Sequence, residues 1–141
     1  MIAAMLEKQI VATERATGES ADFMRDIFRV SRSAFFKFGL SMPLARHRRA
    51  ASSDARTIAA LVGTLEEDFG PCVQTVVNLA REDGVGRDVL QAVLDDKPEN
   101  LEPALAQVYA FAQAVVTVAP EAEELSGKLK DMLGEEAVVD L

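Results

Sequence analysis

One cysteine, one histidine and one tyrosine stand among the 141 residues of this chain, and tryptophan is absent. A single sulfur excludes an internal disulfide and a cysteine-rich zinc site, and one histidine beside it leaves no metal-binding motif of recognisable spacing. We therefore expect no metal and no other cofactor. Because aromatic residues make up only 6% of the chain, the core must be aliphatic, with a few phenylalanines.

Long apolar runs and an excess of positive charge are also missing. No uncharged apolar stretch reaches about 18 residues, the length typical of a membrane-spanning helix, and residues 1–8 lack the basic region of a signal peptide. The chain has 15 basic and 23 acidic residues and a net charge of −8, which repels polyanions. We therefore expect a cytoplasmic protein that binds neither membranes nor nucleic acid.

Apolar residues form 49% of the chain, enough for a folded domain with one core. They are mainly Ala, Leu and Val at helical spacing, with few alternating runs, which predicts an all-α domain. Helices are expected over residues 2–16, between a Ser20 cap and Gly39, after a cap at Ser52 or Ser53, between Pro71 and Gly84, over 87–95, from near Pro103 to Val116, and from Pro120 to Gly134, before a final apolar run at 137–141.

The cysteine is predicted to lie at the start of a helix. Pro71 suits the first helical position, Cys72 then falls in the first turn, and Gly84 is suited to end the helix about three turns later. The unpaired N–H groups and the dipole of a helix start favour a negatively charged sulfur. The same position also suits a small, buried, unreactive side chain, and both interpretations remain open.

The segment 69–85 resembles a helix start of the carboxymuconolactone decarboxylase and AhpD-like alkyl hydroperoxidase family. That family carries the motif C-x-x-C-x-x-x-H followed by a run that ends in A-x-x-x-G-V. Cys72 matches the second cysteine, and residues 80–85 match the run. The resemblance is most specific over residues 54–94 and extends as a helical pattern over residues 20–140.

Three other positions depart from the family motif. Phe69 stands where the family has its first cysteine, and Val76 stands where it has its histidine. The acidic residue of the family falls near Thr57. Cys72 therefore has no second thiol in the chain with which to form a redox pair.

The resemblance implies an antiparallel helical bundle of the AhpD-like type with six or seven helices. It implies a single domain over residues 1–141, and the family pattern places one more apolar helix after this point. Relatives assemble as trimers or hexamers through helix faces, so a homo-oligomer is expected. With one of four catalytic positions occupied, the chain is expected to be a degenerate member that serves as an oligomeric binding or structural module.

Two enzymatic alternatives remain open. One is a thiol-dependent peroxidase or reductase, an antioxidant enzyme of the alkyl hydroperoxidase kind, in which Cys72 attacks a hydroperoxide and an external thiol reduces the product. The other, implied by the family name, is a cofactor-free decarboxylase or isomerase acting on a small-molecule carboxylate. His47 would be its only histidine base.

The candidate catalytic residues are Cys72, Glu66, Glu67 and His47. Glu66 and Glu67 lie five or six residues before the cysteine, across a tight turn, where a carboxylate could serve as a base. The alternative is that they are solvated acids at a helix end. His47 could act as a base or proton relay near neutral pH, or belong to a solvated basic loop.

Two further groups of side chains have both a functional and a structural interpretation. Four phenylalanines at helical spacing could wall an apolar ligand pocket, or form core or a subunit interface, and a short basic cluster could bind an anionic ligand or the acidic face of a neighbouring subunit. The first group is Phe23, Phe28, Phe35 and Phe38, and the second is Arg46, His47, Arg48 and Arg49.

Overall fold

A computed structural model describes residues 2–45, 47–67 and 70–141. Arg46 of the basic cluster, Asp68, and Phe69 at the first motif position lie outside the described residues. Within those ranges the chain forms nine α-helices, one 3-10 turn and no strand, which confirms the all-α prediction. The elements are α1 (Ile2–Thr17), α2 (Asp22–Val30), α3 (Arg32–Ala45), α4 (Ser53–Glu66), α5 (Gly70–Glu82), α6 (Arg87–Leu94), the 3-10 turn (Pro98–Asn100), α7 (Pro103–Val116), α8 (Ala122–Leu133) and α9 (Glu135–Val139).

The chain divides into two compact units, Met1–His47 and Arg48–Leu141. The first contains α1, α2 and α3, and the second contains α4 to α9. The single-domain organisation over residues 1–141 stays a prediction. No helix of the described ranges is both long and apolar enough to cross a membrane.

Aromatic side chains join α2 to α3 in the first unit. Phe23 and Phe38 meet edge to face with their ring centroids 6.0 Å apart, and Phe28 and Phe35 meet similarly at 5.3 Å. Phe35 is buried, while Phe23 is exposed. Such edge-to-face pairs stabilise packing beyond the burial of area alone.

Arg25 of α2 links this helix to α1 by ion pairs. Its guanidinium donates to Glu14 at 2.6 Å and to Glu7 at 2.8 Å, both on α1, and to Asp22 of its own helix at 2.9 Å. Hydrogen bonds from Arg25 and from the backbone N–H of Ala21 hold the pKa of Glu14 at about 2, below its ordinary value of 4.5. The three carboxylates raise the pKa of Arg25.

Helix α4 is at the centre of the second unit. Ser52 caps it by accepting a hydrogen bond from the N–H of Ala55 at 3.2 Å, so the first of the two predicted caps is confirmed. α5, α6 and α7 all pack against α4, α8 packs against α7, and α9 packs against α8. Full burial of an aliphatic side chain stabilises a fold by roughly 1.5–3 kcal/mol, and the largest side chains without exposed surface are Ile58, Leu61, Val62, Val93, Val108 and Leu129.

Gly84 ends α5 as predicted. It adopts a positive φ of 82°, and two hydrogen bonds close the helix end, from Val85 N–H to the Ala80 carbonyl at 2.9 Å and from Gly84 N–H to the Arg81 carbonyl at 3.2 Å. This pattern is a Schellman motif. Ala80 and Val85 are both buried in the core, which supplies the apolar contact that accompanies the motif.

Several predicted helix boundaries are wrong. The single helix expected between Ser20 and Gly39 is two helices, because Ser31 is extended (φ −149°) and its hydroxyl accepts the N–H of Ala34 at the start of α3. The N-cap of α2 is Ala21 rather than Ser20. α3 continues past Gly39 to Ala45, since one glycine costs a helix only about 1 kcal/mol.

Two further differences lie in the second unit. α8 begins at Ala122, not at Pro120, and the final apolar run contributes a short helix, α9. This helix and the division at Ser31 raise the count above the six or seven helices expected.

Candidate functional site

Cys72 lies in the first turn of α5, as the sequence predicts, and it is exposed. The interpretation of this residue as a small buried side chain is therefore wrong. Exposure makes the sulfur accessible to reagents in solution. Cys72 is not among the lining residues of three cavities found in the second unit.

Glu66 and Glu67 lie at the opposite side of the same junction. Glu66 is the last residue of α4 and Glu67 is its C-cap, and both are exposed. Within the described ranges neither carboxylate forms a hydrogen bond or an ion pair. The acids and the sulfur thus lie on the two helix ends that flank residues 68–69, and no hydrogen bond joins them within the described residues.

His47 is exposed and closes the first unit, whereas Cys72, Glu66 and Glu67 belong to the second. Arg48 and Arg49, the residues of the basic cluster that follow His47, belong to the second unit. Arg48 pairs with Asp83 at 2.7 Å. This ion pair gives Arg48 a partner inside the chain, so its position needs no external ligand to explain it.

The four phenylalanines do not wall any of the three described cavities. They pair across α2 and α3 instead, which supports their structural interpretation. Their exposure varies widely along the two helices. Phe35 is buried, Phe28 and Phe38 are partly buried and Phe23 is exposed.

Between α5 and α6 lies a groove that sequence reasoning missed. Its larger cavity has a volume of about 540 Å³ and its smaller one about 360 Å³, and the two share Val77 and Leu94. Volumes of roughly 300–1,000 Å³ are typical of small-molecule sites. We call the larger cavity the α5/α6 groove, and its lining is Val77, Arg81, Val85, Arg87, Leu90, Gln91 and Leu94.

The α5/α6 groove has an apolar floor and a polar edge. Val85 and Leu90 are buried, and Leu94 is 40% exposed at the rim. Arg81 and Arg87 are both exposed. No sequence motif marks this site, because it depends on two separate helices that both pack against α4.

Potential metal ligands do not cluster among the described residues. Among residues 2–45, 47–67 and 70–141, no three His, Cys, Asp or Glu side chains are grouped closely enough to hold a metal ion. The polar groups of the α5/α6 groove are guanidiniums and one amide, which are not the ligands of a metal site.

Comparisons with known proteins give no match. No protein-family model matches the chain, and neither a curated protein nor a solved structure matches it significantly. The resemblance to the carboxymuconolactone decarboxylase and AhpD-like family thus stays a prediction, carried by Cys72 and residues 80–85.

Proposed function

We propose that the chain is a degenerate carboxymuconolactone decarboxylase/AhpD-like protein that works as a self-associating helical module rather than as an enzyme. The partner is a second copy of the same chain. The observation that carries this proposal is the exposed apolar surface of the three N-terminal helices. We call it the N-terminal apolar surface, formed by Met5, Phe23, Val30, Phe36 and Leu40.

The N-terminal apolar surface is large relative to what its helices bury. Among the described side chains of the first unit, the buried apolar ones are Leu6, Ile10, Ala21 and Phe35. Leu40 and Val30, by contrast, are 78% and 77% exposed. Contiguous exposed apolar patches mark association surfaces in soluble proteins, and we infer that these side chains form one.

The spacing of these residues places them on continuous helix faces. Phe36 and Leu40 are four residues apart on α3, and Phe23 and Val30 are seven apart on α2. Side chains at these intervals lie on one side of a helix. A second copy would cover both faces, and each fully buried side chain would add roughly 1.5–3 kcal/mol.

Light scattering across a range of concentrations tests this proposal. The wild-type chain is expected to form a dimer or larger oligomer, and the variant Phe36→Glu/Leu40→Glu is expected to shift it to a monomer. The matched control is Val115→Glu/Met132→Glu, which adds the same charge at two side chains of the second unit that are each 50% exposed. This control should keep the wild-type mass.

Two outcomes contradict the proposal. A wild-type protein that remains a monomer at every concentration has no self-association to explain. A control variant that dissociates while Phe36→Glu/Leu40→Glu stays assembled places the interface in the second unit. Circular dichroism of each variant shows that its helices are retained.

A thiol-dependent peroxidase or reductase is the second candidate function, favoured by the exposure of Cys72. The thiolate would attack the distal oxygen of a hydroperoxide, the O–O bond would break, and the departing alkoxide would take a proton to give an alcohol. The sulfur would become a sulfenic acid. An external dithiol would then reduce it, releasing water and forming its own disulfide.

Hydroperoxide consumption in the presence of dithiothreitol tests this second candidate. The rate of the wild-type chain is compared with that of Cys72→Ser, which removes the sulfur and keeps the size of the side chain. A clear loss of rate in the variant supports the thiol enzyme. Equal rates rule it out and leave the non-catalytic module.

A further inference from the structure

The geometry points to a binding site for a single-chain amphiphilic carboxylate, such as a medium-chain fatty acid, in the α5/α6 groove. The carboxylate would lie at Arg81 and Arg87, and the alkyl chain would run along α5 past Val77 and Leu94. This inference is independent of the proposed self-association, because the groove belongs to the second unit and the N-terminal apolar surface to the first.

The groove has a charged end and an apolar end. Arg81 lies in the last turn of α5, and Arg87 is the first residue of α6, so both flank the connection over residues 83–86. Away from this connection the walls are mainly apolar, with Gln91 in the larger cavity and Gln74 in the smaller one as the polar residues. The smaller cavity continues the groove past Val77 to Val73 and Gly70.

The length of the groove suits an extended chain. Val73, Val77 and Arg81 are four residues apart in turn, so they lie on one face of α5. From Gly70 to Arg81 the helix advances roughly 16 Å at about 1.5 Å per residue. A carboxylate held at Arg81 would therefore leave an apolar path of several methylene groups along this face.

Neither arginine has a partner within the part of the chain that the structure describes. No hydrogen bond, ion pair or ring contact involves Arg81 or Arg87 there. Residues 48–141 contain 8 Lys and Arg and 18 Asp and Glu, and three of these cations, Arg48, Lys97 and Lys128, form ion pairs within the described residues. Arg48, for comparison, pairs with Asp83.

Helix electrostatics explain Arg81 but not Arg87. A cation is favourable in the last turn of a helix and unfavourable in the first turn. Arg87 occupies the first position of α6, and its N-cap Gly86 supplies no side chain for capping. A carboxylate between the two guanidiniums would receive charge-assisted, bidentate hydrogen bonds.

Glu82 and Asp88 follow the two arginines directly in the chain, and both are exposed and do not line the cavity. Asp83 is held by Arg48 at 2.7 Å, and Asp95 accepts a hydrogen bond from Gln91 at 2.7 Å. Neither carboxylate lines the cavity. The lining of the cavity itself carries two positive charges and no negative charge.

Calorimetric titration with dodecanoate, below its micelle concentration, tests the inference. The wild-type chain is expected to bind one dodecanoate per chain, at least tenfold more tightly than dodecanol, which has the same tail without the charge. Arg81→Gln/Arg87→Gln should weaken dodecanoate at least tenfold and leave dodecanol unchanged. Leu94→Gln should weaken both ligands several-fold.

The matched control is Arg49→Gln/Lys130→Gln, which removes the same charge from two exposed residues outside the groove. It should bind dodecanoate as the wild type does. Equal weakening in both double variants would show a general charge effect and overturn the inference. Light scattering of the same samples reports self-association separately.

Three other results would also overturn it. Dodecanoate could fail to saturate a single site, or dodecanol could bind as tightly as dodecanoate. In the third, Leu94→Gln changes the oligomeric mass while dodecanoate does not bind, which shows that a second copy of the chain covers the groove. The first two results concern the groove alone, whereas the third would also place a self-association interface in the second unit.

Discussion

Tyr109 donates a hydrogen bond from its hydroxyl to the Asp96 carboxylate, with the two oxygens 2.6 Å apart. Tyr109 is a buried residue of α7, and Asp96 follows α6 with a positive φ of 54°. The same hydroxyl accepts a hydrogen bond from the Gln113 side chain at 3.2 Å. The only tyrosine of the chain therefore fixes the end of α6 to α7.

We predict that the pKa of Tyr109 lies above its ordinary value of about 10. Burial is the main cause, and the hydrogen bond to Asp96 adds to it. Asp96→Asn should lower this pKa, because it removes the negative charge, and asparagine tolerates the positive φ. A raised pKa means that the folded chain favours the neutral phenol. The resulting contribution to the free energy of unfolding is fully present below pH 10 and is lost as the pH rises through the higher folded pKa.

Near-ultraviolet absorbance of the phenolate measures this pKa directly, because the chain has one tyrosine and no tryptophan. The urea-unfolded chain gives the reference value. Identical titration of native and unfolded chains would contradict the prediction. Asp95→Asn, which changes a neighbouring carboxylate that does not contact the phenol, is the control.

Sequence predicted the helices of the second unit well because their ends carry local signals. Ser52 and Gly84 act at the positions where capping chemistry places them. Ser31 was not among the predicted caps, although its hydroxyl accepts a hydrogen bond from the N–H three residues later, as an ordinary N-cap serine does. Gly39 does not end its helix, because a single glycine disfavours a helix only weakly.

The site was predicted less completely than the fold. The position of Cys72 follows from Pro71 and local helix rules, but its exposure depends on how α5 packs. Arg81 and Arg87 belong to one groove only because α5 and α6 both rest on α4. Such a relation has no local pattern in the sequence, so reading along the chain could not find it.

Because of the ion pairs of Arg25, we predict that the stability of the first unit falls at acidic pH. The pKa of Glu14 in the folded chain is about 2, below the ordinary 4.5, so its carboxylate stabilises the fold above pH 4.5. That contribution is lost as the pH falls from 4.5 towards 2. Arg25→Gln should raise the pKa of Glu14 towards its ordinary value.

Carboxyl chemical shifts followed by NMR across this pH range measure the Glu14 titration. Arg29→Gln is the matched control, because Arg29 pairs with Asp26 on the same helix and has no contact with Glu14. The explanation fails if Glu14 titrates near 4.5 in the wild-type chain, or if Arg29→Gln moves its pKa as far as Arg25→Gln does.

Hydrogen bonds of Asp140 join the C-terminal segment to the start of the second unit. One oxygen of its carboxylate accepts hydrogen bonds from three consecutive backbone N–H groups, those of Arg49, Ala50 and Ala51, at 2.7–2.9 Å. Hydrogen bonds to a charged group contribute about 1.5–3 kcal/mol. Asp140→Ala should lower the free energy of unfolding by about that amount.

Urea unfolding followed by circular dichroism measures the effect of Asp140→Ala. Asp131→Ala removes the same charge from an exposed residue of α8 and is the control. It should change the unfolding free energy by less than about 0.5 kcal/mol, as surface substitutions usually do. Similar losses in both variants would show that net charge, rather than the three hydrogen bonds, is responsible.

Exposure of Cys72 predicts complete alkylation of the native chain by iodoacetamide without denaturant. Mass spectrometry should show one adduct per chain, and Cys72→Ser should show none. Protection of the sulfur in the native chain, with labelling only in urea, would mean that another surface covers it. Repeating the labelling with Phe36→Glu/Leu40→Glu would then reveal whether self-association provides that cover.

Three successive helices of the second unit end in the same hydrogen-bond pattern but with different residues at the left-handed position. α5 uses Gly84, α6 uses Asp96 and α7 uses Val118, with φ angles of 82°, 54° and 54°. Val118 is β-branched and 89% exposed, so no packing compensates its strained backbone. A left-handed conformation costs an L-residue roughly 1–2 kcal/mol relative to glycine.

Opposite substitutions at the first and last of these positions should therefore have opposite effects. Gly84→Ala should destabilise the fold by about 1 kcal/mol, and the cause is conformational because no atom lies within 4 Å of the added Cβ. Val118→Gly should stabilise the fold, by up to about 1 kcal/mol once the greater freedom of glycine in the unfolded chain is subtracted. Gly63→Ala, inside α4 and equally uncrowded, is the control and should stabilise slightly. Thermal unfolding of the three variants checks the signs, and destabilisation by Val118→Gly would show that the side chain of Val118 makes a contact that outweighs its backbone strain.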